Sequence, residues 1–152
     1  GSVPELKLSS LNDIIKHVVD YMERRTSSKV KITYNNSLDK NVSIRINQAL
    51  FEWVIENLCK NAVDAMEGKG KIDISSFIDK KKVIIEVKDN GKGIKRNDIK
   101  NIFTPGFTTK KRGWGLGLSL AKRIIENYHN GKIYVKESEI GKGTTFRIEL
   151  NG

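Results

Sequence analysis

The stretch that decides the fold runs from Ile72 to Ile94. Ile72-Asp73-Ile74-Ser75-Ser76-Phe77 and Val83-Ile84-Ile85-Glu86-Val87-Lys88 read as two strands joined by a short charged turn at Asp79 to Lys82. Asp89-Asn90-Gly91-Lys92-Gly93-Ile94 follows, and no complementary strand begins after it. Working outward, Leu11, Ile14, Ile15, Val18, Val19 and Met22 recur at helical spacing and predict a helix over residues 9–25. Residues 48–66 give the longest predicted helix, and Leu118 to Tyr128 gives another. Strands are predicted at Val30 to Tyr34, Val42 to Ile46, Ile133 to Lys136 and Thr144 to Leu150, with a helical turn near Asp98 to Ile102. Helices mixed with strands that neighbour each other in sequence favour an α+β fold, a two-layer α/β sandwich with helices on one face of a mixed sheet.

A chain of 152 residues fits one domain with a core of its own. Gly1-Ser2 resembles the remnant of a purification tag, which leaves residues 5–152 as a single expected domain. The single cysteine, Cys59, excludes an intrachain disulfide and a zinc cluster, which suits the cytosol. No apolar run approaches the roughly 20 residues of a membrane span, and a cytoplasmic location is expected. The formal charge of +10 fits a phosphate-bearing partner, but no aromatic residues alternate with the basic clusters to stack bases. No nucleic-acid partner is expected.

Chemistry concentrates at three places. On the long helix, Asn57 and Asn61 stand one turn apart beside the apolar stripe Leu50, Val54, Leu58, Ala62 and Ala65. Buried amides need partners, so the pair reads either as structural caps or as oxygen donors to a hydrated magnesium ion. At the end of the Val83 to Lys88 strand, a buried, ionised Asp89 could accept a hydrogen bond from an exocyclic amine such as that of adenine. Gly91 and Gly93 would let the backbone pass close to a flat ligand. Gly113-Trp114-Gly115-Leu116-Gly117-Leu118 then leads straight into a helix, an arrangement suited to phosphates. It is not a P-loop, because Leu118-Ser119 supplies no lysine, and Phe107 to Arg112 provides no strand for a dinucleotide fingerprint.

These motifs resemble those of the sensor histidine kinases. Asn57 to Ala62 is similar to the asparagine box and Asp89 to Gly93 to the first glycine box. Phe103 to Lys110 is similar to the phenylalanine box, Gly113 to Gly117 to the second glycine box and Gly141 to Phe146 to the last. Gly106 stands where an aromatic residue is more common. The five occur in the family's order and spacing. The resemblance implies a Bergerat-type sandwich with a mostly antiparallel sheet, shared with gyrase, heat-shock chaperone and mismatch-repair ATPases. It also implies a site for ATP or ADP with Mg2+. Asn61 would bind the metal, with Asn57 and Ala65 beside it on the helix. Asp89 would read the adenine amine, assisted by Thr144 through water, and Gly91, Gly93, Ile94, Phe103 and Leu118 would shape the adenine pocket. Gly113, Gly115, Leu116 and Gly117 would approach the phosphates, and Lys110 on a short lid would neutralise the γ-phosphate. Lys92 and Lys111 are weaker candidates.

The resemblance further implies the catalytic half of a protein-histidine kinase in two-component signalling. Its partners would be a separate dimerisation domain bearing the acceptor histidine and, through the full kinase, a response regulator. The full protein could be membrane-anchored, and the isolated domain is expected to be monomeric. Only His17 and His129 are available here, neither in an acceptor-like setting, and both are expected to be surface histidines. The nearest alternative is another ATPase or protein kinase of the same fold. Asn57 argues against it, because those proteins usually carry glutamate at this position.

Overall fold

The computed structural model describes residues 3–39, 42–107 and 117–152. The expected hairpin forms between β4 (Gly70–Asp79) and β5 (Lys82–Asp89), with Ile74 opposite Val87 and Asp79 opposite Lys82. Only Lys80 and Lys81 remain to make the turn, and both take positive φ (50° and 68°), as a two-residue type I′ connection requires.

Around this hairpin stands a five-stranded sheet in the order β2-β4-β5-β7-β6, with β2 (Val30–Asn36), β6 (Lys132–Glu139) and β7 (Gly143–Asn151). Only β2 and β4 run parallel; the other three pairings are antiparallel. Alternation puts Ile72, Ile74, Val83, Ile85, Val87, Phe146 and Ile148 on one buried face. The core cluster joins them to the apolar faces of α1 (Leu11–Arg25) and α2 (Gln48–Ala65). Among the described residues, the other face carries no helix of the core cluster and is dressed with long charged side chains. Arg147 bonds Asp79 at 2.9 Å and Glu86 at 3.4 Å, Lys136 pairs with Glu86 at 3.1 Å, and Tyr134 bonds Glu149. Under this lattice Ile84, on the face of Glu86, is fully buried.

Three elements differ from expectation. Helix α1 begins at Leu11, because residues 7–10 form β1 (Lys7–Ser10), which pairs antiparallel with β3 (Ser43–Ile46) in a small second sheet. Ser10 ends that strand and caps the helix, its Oγ accepting from the Asp13 N–H. The predicted turn near Asp98 to Ile102 is α3 (Arg96–Ile99). The last helix is α4 (Gly117–Arg123) only as far as Arg123, after which Ile124–Tyr128 winds as a π-helical turn. Among the described residues, no helix is long and apolar enough to cross a membrane.

Candidate functional site

Asp89 closes β5 with only 5% of its surface exposed. Its Oδ1 accepts from the Gly91 N–H at 2.8 Å and the Thr144 N–H at 3.3 Å. Burial pushes its carboxyl above the usual range, and the two backbone bonds pull it partly back. Both bonds fall on Oδ1, so Oδ2 remains as an acceptor.

The loop after Asp89 is held from three sides. Asn90 Oδ1 accepts from the Lys71 N–H at 2.8 Å, tying the loop to β4. The Lys92 N–H donates to the Ala65 carbonyl at 2.8 Å, tying it to the end of α2. Gly141 N–H donates to the Lys92 carbonyl at 2.9 Å, tying it to the β6–β7 turn. The two glycines read from sequence as room for a flat ligand have protein against them. A Cβ on Gly91 would stand 2.6 Å from the Ala65 carbonyl, and one on Gly93 would stand 2.3 Å from the Glu139 oxygen. Their small size lets the loop close onto α2 and the turn.

Ser138 went unnoticed in the sequence, yet it organises this end of the site. Its Oγ accepts from the Ile94 N–H at 2.8 Å and lies 2.8 Å from Thr144 Oγ1. Its signal was weak, because the charged run Lys136-Glu137-Ser138-Glu139 hides the end of β6, where a bulge interrupts the register between Val135 and Glu137.

On α2, Asn57, Asn61 and Ala65 recur every four residues and so share one face. Ala65 meets the Asp89 loop at one end of that face. At the other, Gly117 opens α4 so close to Asn57 that a Cβ there would stand 2.7 Å from Asn57 Oδ1. The structure thus brings Asn57, Asn61, Ala65, Asp89, Gly91, Gly93, Thr144 and Gly117 into one contiguous arrangement. Ile94, Phe103 and Leu118 are half-buried against the core, and the Phe103 ring meets Phe146 edge-on at 6.2 Å. Lys110, Lys111, Gly113, Gly115 and Leu116 lie outside the described residues.

A magnesium ion fits this donor set only as a shared ion. Among the described residues no cluster of three acidic, histidine or cysteine side chains exists to hold a metal alone. Asn57 Nδ2 is buried without a hydrogen-bond partner among the described residues, a donor suited to a phosphate oxygen rather than to the metal itself. An amide oxygen with phosphates and waters is the coordination magnesium favours.

A cleft of about 410 Å³ lies elsewhere, lined by Lys100, Phe103, Ser119, Lys122, Arg123 and Glu126 among others, and includes neither Asp89 nor the two asparagines. The histidines divide. His17 is exposed and sits 2.7 Å from Glu52. His129, expected at the surface, is instead buried: Nδ1 bonds the Ile124 carbonyl at 2.9 Å, and Nε2 accepts from the Asn47 N–H at 3.1 Å. This overturns the sequence reading: directly after the π-helical turn, His129 is buried against the start of α2.

Residues 46–151 match the model of the histidine kinase-, DNA gyrase B- and HSP90-like ATPase family. The chain belongs to this family. Among its relatives is the sensor histidine kinase ZraS of Salmonella typhimurium, 39% identical over 95% of this chain and 31% of ZraS. The catalytic domain of the histidine kinase ThkA superposes with a TM-score of 0.85 at 31% identity, covering 97% of this chain and 95% of that one. ThkA has also been solved in complex with the response regulator protein TrrA (TM-score 0.80, 29% identity, 95% and 41% covered). Full-length ShkA with AMPPNP matches at a TM-score of 0.84 and 25% identity, covering 97% of this chain and 31% of that one. The chain spans about a third of the length of the curated relatives it matches. Within this family the relatives and solved structures it matches are histidine kinases, and the chain is a histidine-kinase ATPase domain.

Proposed function

We propose that this domain binds Mg-ATP and donates the γ-phosphate to a histidine on a separate dimerisation domain, within a two-component kinase that passes the signal to a response regulator. The observation that carries it is the buried Asp89 with Oδ2 unused, one end of a continuous face that leads past Ala65 and Asn61 to Asn57. Asp89 accepts from the adenine amine, with Thr144 held beside it by Ser138. Asn61 supplies an oxygen to magnesium, and the start of α4 at Gly117 approaches the phosphates. Lys110, with the glycines before Gly117, completes the phosphate end. The domain works on the cytoplasmic side, where ATP is available.

Calorimetry tests the adenine end. ATP and ADP should bind well and GTP poorly, because guanine presents a carbonyl to Asp89. Asp89→Asn leaves an amide donor facing another donor and should cost about 1–3 kcal/mol of binding. Equal affinity for GTP and ATP would sink the assignment. The metal end is separate: Asn61→Ala should blunt the dependence of ATP affinity on magnesium while adenosine binding stays unchanged. A variant whose affinity follows magnesium as the wild type does removes Asn61 from the ligands.

A further inference from the structure

His129 is a buried imidazole that the proposed chemistry does not use. It sits where the last helix ends and α2 begins. Its Nδ1 donates to the Ile124 carbonyl, five residues back, so the side chain extends the π spacing of the turn it follows. That tautomer leaves Nε2 as an acceptor, and Nε2 takes the Asn47 N–H. Its ring also meets Phe51 of α2 at 6.0 Å, close to edge-on. Burial lowers the basicity of the ring, in keeping with this neutral form.

Asn47 is itself fully engaged. Its Oδ1 caps α2 by accepting from Leu50 N–H at 3.1 Å, its carbonyl accepts from Phe51 N–H at 2.9 Å, and its Nδ2 donates to the Glu5 carbonyl. The His129 bond therefore grips the start of α2 itself.

Two contacts fix the last helix along α2: His129 against Asn47, and Gly117 against Asn57. The helices are antiparallel, with Asn57 ten positions after Asn47 and His129 twelve positions after Gly117. At about 1.5 Å per residue, the second span would be about 3 Å too long as pure α-helix. A π turn accommodates about one residue more than an α turn and so takes up about 1.5 Å, half of that difference. We propose that His129 is a positioning residue: by holding the π turn to the start of α2, it sets how closely Gly117, at the phosphate end, approaches Asn57. This rests on the ATP reading above.

Variants at this position separate the two bonds. His129→Gln places an amide oxygen near the Nε2 position and keeps an acceptor for Asn47. His129→Asn places its amide nitrogen near Nδ1 and keeps only the bond to Ile124. His129→Phe keeps the packing and loses both bonds. Affinities for ATP and for adenosine should be measured by calorimetry on each folded variant. Displacing Gly117 acts mainly at the phosphates and only weakly, through Leu118 beside it, at the adenine, so Asn and Phe should lose about five- to tenfold in ATP affinity, the worth of about one hydrogen bond, and no more than about twofold in adenosine affinity. Gln should stay within about twofold of wild type on both. Equal losses on both ligands would mean that His129 serves stability alone. No loss in the Asn variant, or a Gln variant as impaired as Asn, would also overturn the proposal, and these two polar variants decide it should Phe not fold. A wild-type domain that binds neither ligand would instead defeat the ATP reading itself.

Discussion

Gly143→Ala is expected to lower the thermal unfolding midpoint by about 4–24 °C. The backbone at Gly143 has φ +123°, which an L side chain rarely adopts, and a Cβ there would stand 2.0 Å from the Asp89 carbonyl oxygen and 2.9 Å from Asn90 Cα. Strained backbone of this kind costs about 1–3 kcal/mol, and forcing an atom into a packed site typically about 1–3 more. For a domain of this size each kcal/mol moves the midpoint by about 2–4 °C. The clash is with backbone at the strand end that carries Asp89, and no rotamer change can relieve it. The variant should therefore lose ATP affinity along with stability. Gly141→Ala is the control: its φ is +82° but nothing lies within 4 Å of the added atom. It should show only the conformational cost, about 1 kcal/mol. Thermal melts followed by circular dichroism distinguish them, and a Gly143→Ala protein as stable as Gly141→Ala would remove the close approach.

What could be read from the sequence follows from what each element depends on. The β4–β5 hairpin and the faces of α1 and α2 follow from periodicity, which local sequence carries. Strand β1 was missed because Lys7-Leu8-Ser9-Ser10 has no buried face of its own and is fixed by pairing with β3, more than thirty residues later. The π turn depends on the same kind of distant contact, since Ile124, Ile125 and Tyr128 fit a helical stripe equally well with α or π winding. His129 was misplaced with it. At the site, the motif residues were found because each is a rare type at a telling position. Ser138 was not, because a serine in a charged run becomes informative only when β6 lies beside β7 and brings it to Thr144.

Asn57 carries the remaining prediction. In related ATPases the position one turn before the metal asparagine holds a glutamate that activates water, and general-base help of that kind is worth about 10²–10⁴-fold. An amide has no basicity to offer. Asn57 is also confined, with its Nδ2 buried and Gly117 against its side chain. Glu56 is the adjacent carboxylate, but five positions at about 100° each put it about 140° around α2 from Asn61. The isolated domain should therefore hold ATP and release phosphate far more slowly than about one per second, the lower end of ordinary turnover. Glu56→Gln should leave that slow rate unchanged. Asn57→Glu is a less simple gain of function than its chemistry suggests. The extra methylene would press on Gly117, so increased hydrolysis and weakened ATP binding should appear together. Supplied with its dimerisation domain as a second chain, the wild-type protein should transfer phosphate to that chain's histidine faster than to water, as an acid-labile product. Brisk phosphate release by the isolated wild type, surviving Glu56→Gln, would mean that another base serves the site. The γ-phosphate would then be spent on water, and the phosphodonor reading would fall.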